Sequence, residues 1–167
     1  MEPPAGHEKV PSGAILAALT ILEATGQGDE VAAGRASEIA GLVDSWGVPV
    51  LTQAFGLLIF GAMSAIHPAE GDNLHLTVPA VVARFSKIES ARPFLPTMAG
   101  VLTAAATGDN VWQWRRTLGP VDRSELAAWC WAAWLLADLL DTGHGEPGRF
   151  VRESARIVMT RSTDEAE

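Results

Sequence analysis

Apolar residues recur along this chain at helical spacing, and Gly, Pro, Ser and Asp punctuate the runs. Ser12 precedes the apolar run Ala14 to Leu22, and Gly26 follows it. That order predicts an N-cap, a helix and a closing glycine. Asp29 is placed to cap a second helix carrying Val31, Ile39, Leu42, Val43 and Trp46, ended by Gly47 and Pro49. Arg35, Glu38 and Asp44 fall on its other side. The third helix, about residues 50–66, is apolar all round, which predicts a place at the centre of a bundle. Gly56 and Gly61 within it would let neighbouring helices come close.

The turn-rich stretch His67 to Asn73 separates this helix from a fourth, opened by Thr77 and Pro79. Val81, Val82, Phe85 and Ile88 give that helix one apolar stripe. Pro93 and Pro96 start a fifth helix that runs through Ala106 to Gly108. Asp109 is read as the cap of a short helix holding Trp112 and Trp114, ended by Gly119 and Pro120. Asp122 or Ser124 caps a long Trp-rich helix reaching about Asp141. Pro147 is expected at the first position of the last helix, which ends near Arg161. No strand pattern of useful length occurs. The expectation is an all-α fold, a single helical bundle of seven or eight helices over residues 12–161. Residues 1–11 read as a flexible lead, and residues 162–167 as an acidic, frayed tail.

Composition narrows the classes of function. A length of 167 residues suits one domain with a real core, and 48% apolar residues exclude a disordered body. The formal net charge of −8 argues against nucleic acid and anionic lipid as partners, since both need clustered Lys and Arg. Ten of the twelve basic residues are Arg, which with abundant Ala, Gly and Pro suggests a GC-rich bacterial gene. Cys130 has no second cysteine to pair with, so a reducing, cytoplasmic compartment is expected. Its Trp and Ala neighbours predict a small core residue rather than a reactive thiol. The Pro-rich, non-basic N-terminus does not read as a signal peptide. Residues 50–66 approach the length of a membrane span. The flanking charges, Asp44 and Glu70, are acidic, and Gln53 and Thr52 interrupt the run, so a buried helix is the better reading.

Candidate chemistry rests mainly on tryptophan. Five of the six, Trp112, Trp114, Trp129, Trp131 and Trp134, fall in one short stretch, and there is no Tyr. At about 100° per residue, Leu126, Trp129, Ala133, Leu136, Ala137 and Leu140 share one face of the long helix. Trp131 and Trp134 lie on nearly the opposite face, with Ala127 and Asp138. A helix with Trp on both sides is either buried on both or keeps its second face for a contact. Asp138, one turn beyond Trp134, is available to accept an indole N–H or hold a ligand cation. Trp112, Trp114, Arg115 and Arg116 make a short aromatic-basic patch, read as one core Trp, one half-exposed Trp and a solvated Arg pair. Arg149, Arg152 and Arg156 form a basic stripe on the last helix, opposite Phe150, Val151, Ile157 and Val158, and suit an acidic partner.

His67, Glu70, Asp72 and His75 are metal-ligand types, but their spacing matches no zinc or iron pattern. No nucleophile elbow, phosphate loop, dinucleotide fingerprint or zincin motif is present. A helix-turn-helix reading of Ser37 to Leu58 fails because the would-be recognition helix is apolar. No catalytic residue, metal or cofactor is therefore assigned. The expectation is a cytoplasmic accessory or regulatory domain that binds protein, either a partner or itself. Its contact surface is expected at Trp131, Trp134 and Asp138, then at Arg149, Arg152 and Arg156, with Trp112 and Trp114 as further candidates. The alternative is a helical enzyme or sensor that holds an apolar small molecule in a pocket lined by the same tryptophans.

Overall fold

The computed structural model describes residues 9–66 and 74–166. Among them it is all-helical, with nine α-helices and one 3-10 turn. In chain order the helices are α1 (Ser12–Gly26), α2 (Asp29–Gly34), α3 (Ala36–Trp46), α4 (Val48–Ile66) and α5 (Leu74–Phe85). The 3-10 turn Arg92–Phe94 leads into α6 (Leu95–Ala106), α7 (Val111–Arg116), α8 (Arg123–His144) and α9 (Arg149–Ala166). The His67, Glu70, Asp72 and His75 set falls outside the residues whose side chains are described.

The apolar helix α4 is central. It packs most extensively on α8, and α1, α3, α6 and α7 also lie against it. Leu51, Phe55, Ile59 and Met63 recur every four residues and are buried, so the spacing makes them one continuous core stripe of α4. Thr52, polar and fully enclosed, donates its hydroxyl to the Val48 carbonyl at 2.7 Å and leaves no unmet group. Although α4 is apolar all round, its cover is incomplete. About half of it is buried, and Leu57 and Phe60 are 49% and 40% exposed. By length and a mean hydropathy of 1.7 it is also the one described helix that would reach across a membrane. Its buried half contributes to the core.

Several helix ends differ from the sequence expectation, each for a local reason. Ser12 is already inside α1, whose cap is Pro11 with no side-chain bond. Gly26 also stays helical, and the left-handed turn falls at Gly28, with φ 104°. The expected second helix is two. The chain breaks at Arg35, where φ is −104° and ψ 7°, and no residue of α2 is buried to hold the turn straight. Arg35 pairs instead with Glu38 through two bonds of 2.9 and 3.0 Å, which holds the Glu38 carboxyl below its usual range. Pro79 lies inside α5 rather than at its start. Asn110, not Asp109, caps α7 by accepting from Gln113 N at 2.9 Å, and Asp109 takes the Thr107 hydroxyl at 2.8 Å. Asp122 caps α8 through Glu125 N, and its pKa is lowered first by the Ser124 hydroxyl and then by that backbone bond. Pro147 precedes α9 rather than opening it. The first turn of α9 is held by Asp141, which accepts from Gly148 N and Phe150 N at 3.0 and 2.9 Å. α9 then runs through Ala166, beyond the end expected near Arg161.

Three tryptophans are seated on helix glycines. The Trp46 ring lies over Gly13, Trp134 over Gly26 and Trp114 over Gly100, each where a Cβ would collide with the indole. In α4 the expected role of glycine holds at one position only. Gly56 is buried beside Trp129 and Val111, whereas nothing approaches Gly61.

Candidate functional site

The long helix α8 organises the candidate surfaces, because its faces meet different surroundings. Leu126, Trp129, Ala133, Leu136 and Ala137 are buried, with Leu140 half-buried at the end of the stripe. On the other side Ala127 is exposed, and Trp131, Trp134 and Asp138 are half-buried. This is the least covered face of the helix. The two indoles meet edge to face, with ring centroids 5.7 Å apart and planes at 82°. Such a pair is pre-formed and loses little rotamer freedom on contact.

Asp138 is already engaged. It accepts from Arg84 Nη2 of α5 at 2.9 Å, and the same guanidinium sits 6.0 Å from the Trp134 ring centroid. It therefore takes an intramolecular cation rather than an indole N–H. One side of the Trp134 ring is occupied by Gly26 of α1 and Arg84 is over the ring, whereas Trp131 has neither contact. Both rings also pack in part against the core.

Beside this face, a groove of about 860 Å³ runs between α1, α8 and α9. It brings together Trp134, Asp138 and Arg152, joined by Glu23 and Asp141. The basic stripe expected on α9 is largely neutralised within its own helix and turn. Arg149 pairs with Glu153 at 3.0 Å, and Arg152 lies 3.8 Å from Glu146 and donates to the Pro147 carbonyl at 2.9 Å. Arg156 stays exposed. The opposite apolar stripe also departs from expectation. Val158 is buried and Phe150 and Val151 half-buried, but Ile157 is 54% exposed.

The aromatic-basic patch on α7 is divided by the fold. Trp114 turns onto Gly100 of α6. Trp112 and Arg116 line a separate cleft against α4. Arg115, expected in solvent, is buried. Its guanidinium donates to both Glu125 oxygens at 2.7 Å and to the carbonyls of Gly119 and Pro120 at 2.7 and 3.3 Å. The Trp129 indole adds a bond to Glu125 at 3.1 Å. The hydrogen bonds to the Glu125 carboxylate raise the Arg115 pKa further, so the guanidinium stays charged. This network clamps the Gly119–Pro120 turn to α8. The signal for it lay in Glu125, a charged residue one turn before Trp129 on the core side of α8, which needs a cation if buried.

Cys130 lies inside the core and shares a 3.3 Å contact with the Thr25 hydroxyl of α1. Burial pushes its thiol up to about 12, against a weaker opposing pull from Thr25. The folded thiol should therefore stay protonated and unreactive toward iodoacetamide at pH 8, becoming reactive only in denaturant. The linked stability is whole below the ordinary thiol pKa and is lost as pH rises from there toward 12, by about 1.4 kcal/mol per unit. Rapid alkylation of the native protein would show that Cys130 is not enclosed.

Among the described residues no group of three or more His, Cys, Asp or Glu is arranged to hold a metal ion. The comparisons with known proteins give no independent direction: no family model, no curated protein and no solved structure matches this chain.

Proposed function

We propose that this chain is a non-catalytic, cytoplasmic helical binding domain that acts through protein–protein contacts, as a small accessory or regulatory protein. The observation that carries this reading is the Trp131–Trp134 pair, edge to face on the least covered side of α8. Tryptophan leads among residues that anchor protein interfaces, and a fixed pair presents its apolar surface at small entropic cost. The rim fits the same role, since Asp138 and Arg84 form an ion pair beside the rings and the centre stays apolar. A second reading, recognition of a small molecule, is favoured by one observation. Trp134 lines the 860 Å³ groove between α1, α8 and α9, a volume within the usual range for ligand sites.

Self-association is the form of contact that the chain can be tested for alone. Light scattering over a dilution series should show a mass above that of the 17.7 kDa monomer, and Trp131→Glu should return it to the monomer. A wild-type protein that is monomeric throughout, or an assembly unchanged by Trp131→Glu, would contradict self-association through this face.

A further inference from the structure

The exposed stripe of α4 is not bare surface. With Trp112 and Arg116 of α7 and Val10 ahead of α1, Leu57 and Phe60 enclose a cleft of about 390 Å³. Trp112, Leu57, Phe60 and Val10 supply an apolar lining, and Gln53 adds a neutral polar group. Small-molecule sites combine an apolar lining of this kind with a few converging polar groups. Two fixed charges line the cleft, the anion Asp109 and the cation Arg116. Arg116 is exposed and forms no ion pair with any described carboxylate, unlike its neighbour Arg115. The carboxylate that shares the cleft, Asp109, accepts the Thr107 hydroxyl at 2.8 Å.

We infer that this cleft binds a small amphipathic carboxylate, with its hydrocarbon body against Leu57, Phe60 and Trp112 and its carboxylate on Arg116. The apolar part of the site explains why Leu57 and Phe60 remain open on a helix otherwise committed to the core. The Arg116 charge selects among apolar ligands. An arginine fork matches a carboxylate in two parallel bonds, repels an amine and gains little from an alcohol. The site lies on α4 and α7, away from the α8 face, so it stands or falls independently of the proposed protein contact.

Octanoate, octanol and octylamine share one chain and differ in head group, which makes them suitable probes. Octanoate should shift the Trp112 indole N–H resonance saturably, with octanol weaker and octylamine weakest. Arg116→Gln should weaken octanoate about tenfold, the loss of one charge-assisted contact of about 1.4 kcal/mol, and leave octanol unchanged. Because Arg116 is exposed, this variant should keep its fold, as a matching amide spectrum will show. Trp131→Glu should leave octanoate binding intact. Equal affinity for the three probes, octanoate binding that ignores Arg116→Gln, no saturable shift in the millimolar range, or shifts centred on Trp134 would each overturn the assignment.

Discussion

Arg115→Met should destabilise the protein by about 3–5 kcal/mol, the cost of stranding one partner of a buried ion pair. Both side chains are about 6% exposed. Losing the guanidinium strands the Glu125 carboxylate and removes donors from the Gly119 and Pro120 carbonyls. Urea unfolding of Arg115→Met, Glu125→Leu and the double variant measures the coupling. The double variant should recover part of the loss, because no unpaired charge then remains inside. Additive losses would show that the pair is solvated in solution and that the turn is not clamped to α8.

Trp129→Ala should cost a similar amount, about 3–5 kcal/mol, for a different reason. Its ring is the largest fully buried side chain and lies at the junction of α8 with α4, beside Gly56. Truncation opens a cavity that the helices cannot close without shifting α7, whose Val111 also touches Gly56. The indole bond to Glu125 is lost as well. Equilibrium unfolding by fluorescence and by circular dichroism should give the same reduced midpoint. A loss below about 1 kcal/mol would place Trp129 outside the core.

Much of this fold is legible in the sequence because periodicity and punctuation act locally. The all-helical class, the apolar helix at the centre and the buried stripe Leu126, Trp129, Ala133, Leu136 and Ala137 follow from spacing alone. What escapes is set by partners distant in sequence. The angular reading separates Trp131 and Trp134 from Trp129, yet it has no means of knowing that Arg84, 54 residues before Asp138, takes that carboxylate. Nor does it reveal that Gly26 and Gly100 are the seats of Trp134 and Trp114. Arg115 and Arg116 are adjacent and look alike, but one turns into a buried pair and the other into an open cleft. The break at Arg35 was hidden because the hydrophobic pattern runs on through it. The half-open state of α4 was hidden for the converse reason, since a helix apolar on every side does not say which side is covered.

The proposed function requires α8 to be core on one side and a contact surface on the other. The most direct measurement compares the unfolding free energy of Trp131→Glu with that of Trp129→Ala, at a concentration where both are monomeric. If Trp131 faces outward, its replacement loses no more than about 1.5 kcal/mol, the worth of an edge-to-face aromatic contact. Trp129→Ala loses two to three times as much. A Trp131→Glu protein destabilised as severely as Trp129→Ala would assign both faces of α8 to the interior and remove the surface on which the proposed function depends.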